Sequence, residues 1–166
     1  MSSSVTRVVA LLRTVGPVPR FCLLAGTLAL LWLACFAVDR VFPIVTATSG
    51  PIPLLTSMSR EHAVALTVFI GPATETALFQ ALPLHVLKRA RSVGTSRAIW
   101  ASAVLFGAAH ATYSLAYALG AIPLGFVLAL GYAAQMRAGG LPFYLVSSLH
   151  GLYNFAWLLA LGMLLQ

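Results

Sequence analysis

Gly71-Pro72-Ala73-Thr74-Glu75-Thr76-Ala77-Leu78-Phe79-Gln80 places a carboxylate inside an apolar run long enough to cross a bilayer. From Ala63 to Leu87 no other residue carries a formal charge. A carboxylate at the centre of a spanning helix costs roughly 2.5 to 3.5 kcal/mol on insertion scales, so an acid held at that depth faces protein or water and has a task. The task is either chemical or structural, a polar contact that ties two helices together. The other buried polar residues decide between these.

Composition sets the class. Of 166 residues, 60% are hydrophobic and only 8% charged, outside the range of soluble domains. The expected fold is all-α: a polytopic transmembrane bundle of about five spans with an N-terminal interfacial helix, forming one domain over residues 1–166. The net charge of +7 does not point to nucleic acid, because the basic residues sit between apolar runs rather than along one face. Their expected partner is the anionic lipid surface. Cys22 and Cys35 fall on one predicted helix, roughly 20 Å apart along its axis, too far for a disulfide.

In chain order, Ser4 to Val15 is a short basic amphipathic stretch suited to the membrane interface, closed by Pro17 and Pro19. Phe21 to Val38 is long enough to span and ends at Asp39-Arg40. It is too long for a signal peptide's apolar core. Phe42 to Arg60 reads as an apolar external loop around Gly50-Pro51-Ile52-Pro53, whose prolines oppose a regular helix. The second span runs from His62 to about Leu87. The third runs from about Ala98 to Leu119, rich in small residues that let membrane helices approach. Gly120 to Pro123 reads as a turn, the fourth span continues to about Gln135, and the fifth starts at Pro142.

Eight basic residues (Arg7, Arg13, Arg20, Lys88, Arg89, Arg91, Arg97, Arg137) fall on the N-terminal side of this topology and two (Arg40, Arg60) on the other. The positive-inside rule therefore puts a multi-pass protein in the cell membrane with its N-terminus in the cytoplasm. Trp100 and Tyr144 then lie near the inner interface and Tyr117 near the outer one. His62 and His85, near span ends, read as interfacial, and Glu61 and Asp39 as boundary charges.

Counted along each span, Glu75, His110, His150 and Asn154 lie roughly 14 to 21 Å deep, in one layer near the bilayer centre. His150 and Asn154 are spaced i, i+4 on one helix face, as are Phe106 and His110 on another. A carboxylate, two imidazoles and an amide in a dry site are the parts needed to hydrolyse an amide bond. Glu75 takes a proton from water, His110 orients that water, and His150 with Asn154 donates to the oxyanion.

The ordered trio Glu75-Thr76-Ala77-Leu78-Phe79-Gln80, Phe106-x-x-x-His110 and His150-x-x-x-Asn154 resembles the three motifs of the CPBP family, the CAAX prenyl endopeptidases and bacteriocin-processing or immunity proteins. The resemblance covers about Gly71 to Asn154 and implies an intramembrane glutamic protease with Glu75 as base, His110, His150 and Asn154 as its catalytic partners, and no metal. Where that family carries Glu-Glu-x-x-x-Arg, this chain has Thr76 and Gln80 for the second acid and the arginine. Thr76, Gln80 and Phe106 are then supporting residues, with Thr76 and Gln80 expected to replace an ion pair by a neutral hydrogen-bonding pair.

The implied substrate is a protein or peptide cut near a membrane-inserted or lipidated end. Three other readings stand beside this one. One carboxylate and two histidines also make a zinc set, although no His-Glu-x-x-His helix is present. A proton-coupled transporter would use buried Glu and His, but no internal repeat is detectable. The last is a non-catalytic immunity or assembly protein.

Overall fold

Residues 4–41, 52–89 and 93–162 are described by a computed structural model, and among them every regular element is helical. Most of the loop expected over Phe42 to Arg60, including Gly50 and Pro51, the basic Arg91, and the side chains of Asp39, Arg40 and Lys88 lie outside the described residues.

α1 (Ser4–Thr14) is the basic amphipathic stretch. It lays Val9 and Leu12 into the core of the bundle and is followed by α2 (Pro17–Val41). Proline at the first position of α2 is favourable, because its missing N–H would have no partner there. The short α3 (Ile52–Thr56) accepts Pro53 in its first turn for the same reason. Next comes one long rod, α4 (residues 60–89), assembled from the consecutive segments Arg60–Val64, Ala65–Ile70, Gly71–Glu75, Thr76–Ala81 and Leu82–Arg89. α5 (Thr95–Ala109) passes through a single 3₁₀ turn, His110–Thr112, into α6 (Leu115–Arg137). α7 (Pro142–Ala160) closes the bundle.

Among the described residues three helices are long and apolar enough to cross a membrane: Pro17–Val38, Arg60–Leu87 and Leu115–Arg137. With 15 residues, α5 is about 22 Å long at 1.5 Å per residue and falls short of the hydrocarbon thickness. The expected turn at Gly120–Pro123 is corrected here. Those residues lie inside α6, with Pro123 in mid-helix. The break comes earlier, at His110–Ser114, because side chains cap both of its ends. The His110 Nδ1 donates to the Phe106 carbonyl (2.7 Å) at the end of α5, and the Ser114 hydroxyl accepts the Tyr117 N–H (3.0 Å) at the start of α6. Capping outweighs glycine and proline as punctuation, since a lone proline is tolerated in membrane helices whose neighbours re-satisfy the backbone.

α5 packs most extensively on α6. At Gly107 a Cβ would stand 2.8 Å from the Ala118 carbonyl oxygen, so the two backbones meet at that point because the residue is glycine. Phe106, Ile99, Leu128, Val146 and Leu149 fill the centre.

Arg20 departs from its reading as a lipid-facing charge. It is 4% exposed, and its guanidinium donates to the carbonyls of Leu12 (2.7 Å), Val15 (2.6 Å) and Arg13 (3.2 Å) and to the Gln135 side chain. Those carbonyls belong to the last turn of α1 and the link beyond it, where free acceptors and the negative end of the helix dipole favour a cation. Trp100 and Tyr144 are exposed.

Candidate active site

Glu75 projects from α4 into a cavity of about 470 Å³ with mostly apolar walls. Its side chain is 30% exposed. Glu75 Oε2 lies 3.7 Å from Nε2 of His150 on α7 and 3.9 Å from Nε2 of His110 at the end of α5. Three elements far apart in sequence therefore bring one carboxylate and two imidazoles together. Asn154 lines the same cavity, one turn beyond His150.

The tautomer of His110 follows from its partner. A carbonyl can only accept, so Nδ1 carries the proton given to Phe106, and Nε2 of the neutral ring presents a lone pair toward Glu75. His150 is 2% exposed, and its Nδ1 has no partner among the described residues. A proton on Nε2, facing Glu75, leaves only a lone pair unsatisfied at Nδ1, the smaller loss.

Phe106, read as supporting, is the hub that fixes these rings. It is fully buried, with its ring centroid 4.6 Å from that of His110, 5.6 Å from His150 and 6.0 Å from Phe79.

α4 is not a regular α-helix at the site. On either side of Glu75 it opens into a π turn, Ala65–Ile70 before and Thr76–Ala81 after. Each turn is followed by X-Pro, namely Gly71-Pro72 and Leu82-Pro83. The Gly71 N–H reaches back five residues to Leu66, and Pro72 has no N–H, so the Thr67 carbonyl has neither an α nor a π partner along the chain. Asn154 Nδ2 supplies one from α7, at 3.0 Å. Gly151 makes this approach possible, because a Cβ there would strike the Val68 carbonyl oxygen. The Ser102 hydroxyl on α5 donates in the same way to the Phe79 carbonyl in the second turn. Such π turns are frequent at functional sites.

Thr76 and Gln80 do not form the neutral pair expected of them. Both are 0% exposed, yet Thr76 Oγ1, Gln80 Oε1 and Gln80 Nε2 have no hydrogen-bond partner among the described residues. The i, i+4 relation assumes 3.6 residues per turn, and these residues lie in the π turn, where that phase does not hold. Because a buried polar group without a partner destabilises, the double variant Thr76→Val/Gln80→Met should melt at an equal or higher temperature, with stability raised by about 1 to 3 kcal/mol at most. Thermal unfolding in detergent checks this, and a clearly lower midpoint would overturn it.

Sequence reasoning missed several cavity residues. Tyr117, expected at the outer interface, lines the cavity with its ring 5.6 Å from His110. Tyr113 and Tyr153 line it as well. A signal for two of them exists, since Tyr113 and Tyr117 follow His110 by three and seven residues, but a turn expected at Gly120–Pro123 carries both away from the site. Among the described residues no group of three or more His, Cys, Asp or Glu side chains has metal-site spacing.

The sequence profile of the type II CAAX prenyl endopeptidase Rce1-like family matches residues 62–156, more than half of the chain. The chain belongs to that family. It is a membrane protein of the CAAX-protease type, a peptide hydrolase by family, and the matched stretch contains Glu75, His110, His150 and Asn154. The match agrees with the CPBP resemblance carried by the three motifs. No curated protein and no solved structure matches the chain.

Proposed function

We propose that this CAAX-type protease is an intramembrane glutamic endopeptidase that cuts a peptide bond near the membrane-inserted or lipidated end of a protein or peptide. The observation that carries the reading is the placement of Glu75 within 3.9 Å of His110 and 3.7 Å of His150 in a largely apolar cavity. An apolar cavity suits a lipid-attached or membrane-inserted substrate end, and a water-poor site strengthens every polar interaction made there.

A water between Glu75 and His110 gives one hydrogen bond to the carboxylate and one to the His110 Nε2 lone pair. Its oxygen attacks the scissile carbonyl carbon as Glu75 takes its proton. The oxyanion accepts hydrogen bonds from His150 Nε2 and from the Asn154 N–H not engaged by Thr67. Collapse of the tetrahedral intermediate breaks the C–N bond, and Glu75 returns its proton to the leaving amine. No metal enters this scheme. Purified protein in liposomes should cleave a quenched fluorescent peptide ending in a farnesylated CAAX sequence, and should still cleave it after exhaustive chelation. Loss of activity on chelation with recovery on zinc would favour a zinc protease instead.

The cell membrane, with the N-terminus cytoplasmic, is the proposed location, from the eight-to-two distribution of basic residues. A single cysteine at Ser57, an exposed residue, should react with an impermeant thiol reagent added outside intact cells, and protection there would reverse the orientation.

A further inference from the structure

We propose that Ser102 is a positioning residue for Glu75: its hydroxyl ties the open turn after Glu75 to α5 and so holds the carboxylate on the two histidines. The inference rests on the reading of Glu75 as the base.

Glu75 sits between two latches on α4. Upstream, Asn154 holds the Thr67 carbonyl and Gly151 lies against Val68. Downstream, the Ser102 hydroxyl holds the Phe79 carbonyl. Each carbonyl lacks one of its helical donors because that position is proline: residue 72, in π register, for Thr67 and residue 83, in α register, for Phe79. The turn is also wound as a π turn, with the Leu82 N–H on Ala77, so one extra residue is held in a loop of backbone directly after Glu75.

An extra residue in a helical turn shifts the phase of the preceding segment relative to the next one by about 100°. The segments beyond the turn are anchored, since Leu84 is 2% exposed in the core and the upstream turn is fastened to α7. Glu75 lies on the segment between these anchors, and the Ser102 hydroxyl is the side-chain hydrogen bond that ties the downstream end of that segment to α5. Ser102 is fully buried in α5, three residues before Leu105 and four before Phe106, so it ties Glu75 to the helix whose end presents His110. The nearest rival is a plain packing role, in which Ser102 stabilises the bundle without steering the carboxylate.

Ser102→Ala deletes one oxygen and little volume, which separates the two roles. Misplacing a reacting group by about 1 Å can cost ~10²-fold in rate. With the farnesylated CAAX peptide as probe, Ser102→Ala should lower kcat roughly 10- to 100-fold while KM stays within about twofold. A second readout needs no substrate. In a background with Cys22 and Cys35 changed to Ser, the pair Glu75→Cys/His150→Cys should be joined by a short bifunctional thiosulfonate in membranes, and adding Ser102→Ala should cut the yield severalfold. An unchanged crosslink yield, or a kcat per folded molecule equal to wild type, would overturn the proposal even if the melting temperature fell. Glu75→Gln run in parallel keeps the two ideas distinct: full cleavage by that variant removes the base assignment, whereas its inactivity beside a fully active Ser102→Ala removes only the latch.

Discussion

Glu75→Gln should lose roughly 10²- to 10⁴-fold in kcat, the range typical for removal of a general base. The substitution keeps the shape of the side chain and its capacity to hydrogen-bond, but an amide cannot accept the water proton. Folding should survive, because a neutral amide is cheaper to hold inside a membrane protein than a carboxylate. Glu75 Oε2 is already without a hydrogen bond at normal distance, so little structural pairing is lost. Steady-state cleavage of the farnesylated peptide, with unfolding measured on the same preparation, checks both halves. Wild-type turnover by a folded Glu75→Gln protein would end the glutamic-protease reading and promote the non-catalytic assembly or immunity role.

Asn154→Ala should lower kcat by roughly 10²- to 10³-fold, the usual penalty for losing an oxyanion donor. It should also destabilise the protein, by about 1 to 3 kcal/mol, because the Thr67 carbonyl that it serves has no other donor in reach along the chain. That second effect makes Asn154 unlike Glu75, whose replacement should touch turnover alone. The comparison is informative in both directions. An Asn154→Ala protein that melts early yet turns over normally would leave the residue as a latch on the first π turn and give the oxyanion to His150 alone.

Much of the fold class was legible because solvent preference is written in composition. A chain that is 60% hydrophobic, with isolated charges between apolar runs of about spanning length, reads as helices in a bilayer, because a helix satisfies its backbone groups within its own segment. The site was legible for a related reason. Glu75, His110, His150 and Asn154 stand out because polar groups at that depth are costly, and their order in three motifs carries the family.

Other features depended on contacts between distant parts of the chain. The break between α5 and α6 is set at His110 and Ser114 by capping hydrogen bonds, whereas Gly120 and Pro123 look stronger as local signals and are absorbed in α6. Arg20 counts as one more basic residue in the sequence, but in the fold it closes the end of α1. The phase of α4 around Glu75 was beyond any periodicity argument. Helical spacing assumes 3.6 residues per turn, and two π turns break that assumption within a few residues of the carboxylate. The sequence alone thus determined an apolar helical bundle and singled out one acid, two histidines and an amide within its apolar runs. Only the tertiary structure decided which way Glu75 points, because the open turns that aim it are held by donors on other helices, Asn154 and Ser102, for carbonyls that Pro72 and Pro83 cannot serve.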